Sequence, residues 1–152
     1  MRLSTPAALV GFGAIVAGLW AAPAHAQTTL TLSATSVTFP VADPDTTASI
    51  AAPPLGVTIR TNRNSWQLTV IAGGDLTSGA STIPISNISW TASPTPPFQD
   101  GVMSRTVAQL VASGNAPVNP AQTATVIYYL VNSWTYDVGT YTATITYTFT
   151  AV

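Results

Sequence analysis

The chain has 152 residues, no cysteine and a formal net charge of −1, which comes from four basic and five acidic side chains. So few basic residues cannot form the positive surface that nucleic-acid binding requires. Without cysteine no disulfide can stabilise the fold, so a hydrophobic core and paired strands must do so.

The first 26 residues have the pattern of a secretory signal peptide. A positive residue precedes an apolar run at residues 7–22, and a small-x-small motif ending at Ala26 follows it. We expect cleavage between Ala26 and Gln27. The alternative of a membrane anchor is disfavoured, because the run is shorter than the ~20 residues that span a bilayer. Export would place residues 27–152 in the periplasm or at the cell surface, as a single domain without a membrane span.

The expected exported chain lacks the residues on which most enzyme chemistry depends, since residues 27–152 contain no histidine, cysteine, lysine or glutamate. Acid–base catalysis near neutral pH uses these groups, and a serine nucleophile needs one of them for activation. Zinc and other transition metals would find neither imidazole nor thiolate. The only close carboxylate pair, Asp43 and Asp45, is interpreted as a turn in preference to part of a calcium site. We therefore expect no enzymatic activity and no cofactor.

Apolar and polar residues alternate through most of the chain, which is the period of half-buried β-strands. The alternation changes phase across residues 34–36, and this predicts a first strand that crosses between two sheets at a kink. Strands are expected near residues 30–32, 37–41, 57–59, 66–70, 83–85, 88–91, 106–112, 123–131 and 139–152. Seven to nine short strands separated by Pro- and Gly-rich turns predict an all-β, antiparallel sandwich.

Three Ser-Trp pairs each follow an asparagine closely, at Trp66, Trp90 and Trp134. Trp66 and Trp90 lie in alternating strands and are expected in the core, because a small sandwich without disulfides needs large buried aromatics. Trp134 lies with Tyr136 in the connection before the last strand. Packing is the favoured interpretation there too, and the alternative is a ligand surface on which a sugar ring would stack.

Residues 137–143, Asp-Val-Gly-Thr-Tyr-Thr-Ala, resemble the D-x-G-x-Y-x-C stretch of immunoglobulin-like (Ig-like) domains. The resemblance assigns Tyr141 to a tyrosine corner with Asp137 and Gly139, its hydroxyl bonded to backbone upstream. Ala143 stands where the family has cysteine, so the inter-sheet disulfide is missing. The end of the chain is also similar to the ends of bacterial secreted Ig-like domains, which implies an Ig-like sandwich.

The last strand carries threonine at every even position from 140 to 150, mostly apolar residues between them, and no charge. An unpaired edge of this kind promotes aggregation. We therefore expect both of its edges to be paired over its central part. Its threonine face should be solvated and its Tyr/Ile/Phe face should lie on the core.

In an Ig-like domain one more strand follows the corner strand, whereas this sequence ends with it. The chain therefore resembles the chaperone–usher pilins, subunits that lack their last strand and receive an N-terminal segment from a neighbour. Residues 28–41 serve equally well as such a donor or as a kinked first strand of their own domain. The side chains that strand addition would use are Leu30, Leu32, Val37 and Phe39 in the donor and Tyr141, Ile145, Tyr147 and Phe149 in the acceptor.

These patterns predict an exported, non-enzymatic structural protein of a bacterial surface, such as a pilin-like subunit of a fimbrium. Its expected partners are further copies of itself or another surface subunit, with a periplasmic chaperone as a possible additional partner. The alternative is a secreted binding module that recognises a glycan or a protein through loops bearing Trp and Tyr. The position of residues 28–41 distinguishes the two interpretations of this segment. Packing beside the last strand of the same chain would make it a strand of its own domain, whereas a free segment could act as a donor.

Overall fold

The alternating segments of the sequence form strands throughout the computed structural model, which describes residues 3–11, 28–137 and 139–152. The expected cleavage point between Ala26 and Gln27 lies outside the described residues. In chain order the strands are β1 (Leu3–Gly11), β2 (Thr29–Leu32), β3 (Ser36–Phe39), β4 (Ser49–Ala51), β5 (Leu55–Thr61), β6 (Trp66–Ala72), β7 (Leu76–Ser78), β8 (Ser81–Ile83), β9 (Ile88–Ser93), β10 (Gly101–Val102), β11 (Gln109–Gly114), β12 (Val118–Val131), β13 (Gly139–Thr140) and β14 (Thr144–Ala151). A short 3-10 turn, Ile85–Asn87, precedes β9.

Two six-stranded sheets face one another across the core, which confirms the all-β sandwich. The first has the order β11-β6-β14-β1-β3, with β13 beside the beginning of β1. The second has the order β10-β9-β12-β5-β2, with β4 beside the end of β12. Strands β7 and β8 form a separate hairpin. Neighbouring strands are antiparallel except where β1 runs parallel to β13 and β14.

The predicted crossing between sheets is confirmed. Strand β2 pairs with β5 in the second sheet, and β3, which follows after three residues, pairs with β1 in the first. Side chains alternate across a strand, so a chain that changes sheets must also change the phase of its apolar residues to keep them in the core. That requirement explains the phase change across residues 34–36.

The described residues form fourteen strands, so the expected seven to nine was too low. Pro53 and Pro54 separate β4 from β5, although both pair with the same edge of β12. Strand β12 itself starts five residues earlier than expected, and Pro120 is accommodated where the register with β5 shifts. Proline cannot donate to a ladder, so Pro53 and Pro54 interrupt the pairing and Pro120 lies at an irregularity of it.

The core contains large aromatic side chains, and Trp66 and Trp90 are buried as predicted. Each ring nitrogen donates to a backbone carbonyl, Trp90 to Gln99 at 2.9 Å and Trp66 to Ala116 at 2.8 Å. Each indole also lies directly on a glycine, so that a Cβ on Gly101 would overlap the ring of Trp90. Glycine is needed at such positions because the backbone approaches a large ring closely.

Candidate strand-binding groove

Strand β1 lies between β3 and β14 and pairs with both. It is antiparallel to β3 over Thr5–Ala8, and it is parallel to β14 over Ala8–Gly11. Within the described residues, no ladder joins β3 directly to β14. We call the space between these two strands, which β1 fills, the β3–β14 groove.

The groove has apolar walls on its inner side. Val37 and Phe39 of β3 and Ile145 and Tyr147 of β14 are buried in the core. The even-numbered positions of β14 carry threonines, and those at 144, 148 and 150 are exposed. The expected solvated threonine face and apolar inner face of the last strand are therefore confirmed.

The last strand is paired along both edges over part of its length. Residues 145–151 pair with β6, and residues 144–147 also pair with β1. Pairing at both edges was expected, but the partner was expected to be residues 28–41 or another molecule. The periodicity could not indicate β1, because its residues belong to the segment interpreted as a leader.

Residues 28–41 are neither free nor adjacent to β14. Leu30 and Leu32, in β2, are half-buried against the core, whereas Val37 and Phe39, in β3, are fully buried in it. Strand β1 separates β3 from β14. In this structure the segment is thus a kinked strand of its own domain, which is the second of the two interpretations that the sequence left open.

Tyr141 fixes the turn that leads into β14. Its side chain is fully buried, and its hydroxyl donates to the carbonyl of Asp137 at 3.0 Å, which is the contact that defines a tyrosine corner. The Asp137 carboxylate accepts from the Ser81 hydroxyl at 2.5 Å. The corner is therefore held against the β7–β8 hairpin, and β14 enters the sheet in a fixed position.

Two buried tyrosines join the sheets behind the groove. The hydroxyl oxygens of Tyr128, in β12, and Tyr147, in β14, lie 2.6 Å apart. Burial raises the pKa of Tyr128 well above its usual value, with the charge and the hydrogen bond of Tyr147 adding to the effect. Burial also raises the pKa of Tyr147 to about 12, although its bond with Tyr128 acts in the opposite direction. Both hydroxyls therefore stay protonated at neutral pH and satisfy one another inside the core.

Asn132 ties the loop after β3 to the segment before β13. Its side-chain amide nitrogen donates to the carbonyls of Ala42 and Thr47, at 3.2 and 2.9 Å. The indole N–H of Trp134 donates to the Asp45 carboxylate at 2.7 Å. These bonds join the loop that follows β3 to the segment that precedes β13, near the end of the groove where β1 begins. We call these contacts the loop clasp.

The two residues proposed as a ligand surface lie in different environments. Trp134 is 46% exposed, whereas Tyr136 is half-buried and its hydroxyl accepts a bond from the side-chain amide of Asn87. The Asp43 carboxylate accepts from the backbone N–H of Asp45 at 2.9 Å, which confirms the turn interpretation of this pair. Among the described residues no group of three or more His, Cys, Asp or Glu side chains is placed to hold a metal ion.

No family model matches the chain, and no curated protein matches it. Within residues 3–11, 28–137 and 139–152, no helix has the length and apolar character needed to cross a membrane.

Proposed function

We propose that the protein is an exported, non-enzymatic structural subunit of a bacterial surface assembly, joined to its neighbours by β-strand addition at the β3–β14 groove. One observation carries the proposal: β1, which lies within the expected signal peptide, is the strand that pairs with both walls of the groove. Cleavage after Ala26 would remove β1 and leave the rest of the sandwich without it.

Removal of β1 would expose two kinds of surface that favour strand binding. Backbone N–H and C=O groups along β3 and the first half of β14 would lose their ladder partners, and such edges pair readily with other strands. Phe39 and Ile145, which are buried, lie at positions in register with β1, so an added strand would again run beside apolar side chains of both walls. An extended segment from another copy or from a second surface subunit would supply both the backbone partners and the apolar contacts. A periplasmic chaperone would protect the groove before assembly.

The corner at Tyr141 supports the Ig-like part of the proposal. Its hydroxyl bond to Asp137 has the geometry of the Ig-like corner, and it lies directly before the strand that forms one wall of the groove. The position of this corner strand beside β1, which cleavage would remove, supports the proposal of a pilin-like subunit.

The exported protein is expected to start at Gln27 and to form SDS-resistant oligomers, visible as fibres in negative stain.

Replacing Thr146 by lysine should lower the yield of oligomers several-fold, because lysine on a strand edge opposes pairing and Thr146 is in register with Val10 of β1. The matched control is Thr150→Lys, on the same threonine run but in register with Gln67 of β6 alone. Mass spectrometry identifies the N-terminal residue of the exported protein, and native gels measure the yield of oligomers in each variant.

Two results would contradict this proposal. The first is an exported chain that remains monomeric at every concentration. The second is equal loss of oligomers in the Thr146→Lys and Thr150→Lys variants, because the effect would then come from charge and not from the groove.

A second candidate function, a glycan-binding module, is favoured by the exposure of Trp134. Its N–H is already bonded to Asp45, so the ring is held in place with 46% of the side chain open to solvent. A sugar ring would stack on that surface through its C–H groups. Replacing Trp134 by alanine should then abolish binding on a glycan array, and binding that survives the change would exclude this site.

A further inference from the structure

We propose that β1 is the first occupant of the β3–β14 groove: in the uncleaved precursor it caps the groove within the same molecule, and cleavage makes the subunit competent to bind a neighbour's strand. The inference rests on the proposed function and adds a mechanism for its timing. The observations behind it are the pairing of β1 with both walls of the groove, the register of that pairing and the sequence of β1.

Strand β1 is suited to a groove with apolar walls. Its nine residues, Leu-Ser-Thr-Pro-Ala-Ala-Leu-Val-Gly, carry no charge. Burying an unpaired charge against such walls would be costly. The same strand pairs with Phe39 at one end of its register and with Tyr147 at the other, so one segment bridges both walls.

The register divides the positions of β1 into two sets. Leu9 is in register with Ile145, and Val10 is in register with Thr146. Residues directly opposite one another in a ladder share a face of the sheet. Position 9 is therefore in register with a buried residue of β14, whereas position 10 is in register with one of its threonines.

Covalent connection gives β1 an advantage over strands of other molecules. In the precursor it is part of the same polypeptide as both walls, so its effective concentration at the groove is on the order of millimolar. A strand from a neighbouring subunit at micromolar concentration competes poorly with it. Cleavage between Ala26 and Gln27 cuts that connection, and β1 then has to compete as an ordinary peptide.

The test uses the full-length chain, produced by cell-free synthesis without membranes so that it stays uncleaved. The probe is a fluorescent peptide with the sequence of residues 3–11. The unmodified precursor should remain monomeric and bind the peptide weakly. The Leu9→Asp precursor should bind it at least tenfold more tightly and form oligomers, and the matched Val10→Asp precursor should behave like the unmodified one.

A second measurement covers the case in which Leu9→Asp does not fold, which near-ultraviolet circular dichroism of the buried aromatics would reveal. Purified signal peptidase is added to the unmodified precursor, which should acquire peptide binding and oligomerise as it is cut. The Ala26→Tyr precursor, whose cleavage motif is blocked, should remain monomeric under the same treatment.

The outcomes separate this inference from the proposed function. If the uncleaved precursor binds the peptide and assembles as well as the cleaved chain, capping is wrong while strand addition stands. If Leu9→Asp and Val10→Asp have the same effect in folded precursors, the register argument fails and capping by β1 is overturned. If the cleaved chain neither binds the peptide nor assembles, the proposed function fails and the capping mechanism fails with it.

Discussion

Replacing Trp90 by alanine is expected to lower the free energy of unfolding by about 3–5 kcal/mol, the usual cost of removing a large buried aromatic. The side chain is 2% exposed, meets Tyr128 edge to face with ring centroids 6.5 Å apart, and donates to the carbonyl of Gln99. Alanine would remove these contacts and leave a cavity beside Gly101, whose backbone lies against the indole ring. Since domains of this kind are stable by roughly 5–15 kcal/mol, the loss would be a large part of the total.

Trp134→Ala is the matched control for this substitution. Trp134 is 46% exposed and makes one side-chain hydrogen bond, to Asp45, so its removal should cost only about 1 kcal/mol. Urea denaturation followed by far-ultraviolet circular dichroism measures both changes. Similar losses in the two variants would contradict the placement of Trp90 in the core and Trp134 on the surface.

The second large effect is expected at the tyrosine pair. Replacing Tyr147 by phenylalanine should destabilise the fold by about 1–3 kcal/mol, because it leaves the buried hydroxyl of Tyr128 without its partner. Replacing both tyrosines by phenylalanine should cost less than the two single changes combined, since no unsatisfied hydroxyl then remains. A double-mutant cycle of urea unfolding measures this coupling. Strictly additive single effects would contradict the contact.

The same pair predicts how stability depends on pH. The pKa of Tyr147 rises from 10.0 to about 12 in the folded chain, and that of Tyr128 is also raised. Because the folded pKa values lie above the unfolded ones, this contribution is complete below pH 10 and is lost as the pH rises through about 12. Unfolding curves should show the loss in the unmodified chain and a smaller one in the double phenylalanine variant. An equal loss in both would assign the alkaline transition to other groups.

Local sequence patterns predicted much of this fold because they reflect burial directly. The alternating residues of β6 and β14 identified their buried faces, and the phase change before β3 identified the crossing between sheets. The short stretch around Tyr141 likewise predicted a corner that depends only on residues close in sequence. In each case the physical requirement is local, so a window of a few residues contains it.

The features that the sequence did not predict depend on contacts between distant segments. The bond between Tyr128 and Tyr147 depends on how the two sheets are stacked, which no single strand encodes. The loop clasp likewise joins Asn132 to a loop some 85–90 residues earlier in the chain.

The pairing of β1 was missed for a different reason. Its apolar residues fit the composition of a signal peptide as well as that of a strand. Interpreting them as a signal peptide left no reason to expect a strand there. The structure places the same residues in a ladder with both walls of the groove. The two interpretations are compatible if β1 pairs before cleavage and leaves afterwards, which is the basis of the proposed function and of the capping mechanism.

Amide hydrogen exchange along β14 of the exported protein shows whether the β3–β14 groove is open before assembly. We predict that, in the dilute monomer, those amides of residues 144–147 that do not bond to β6 exchange rapidly, and that they become protected when the protein assembles. Amides of the central strand β12 should be protected in both states and serve as the internal reference. Equal, strong protection of residues 144–147 in a monomer that starts at Gln27 would show that the groove is already closed within one chain, and this result would contradict the account.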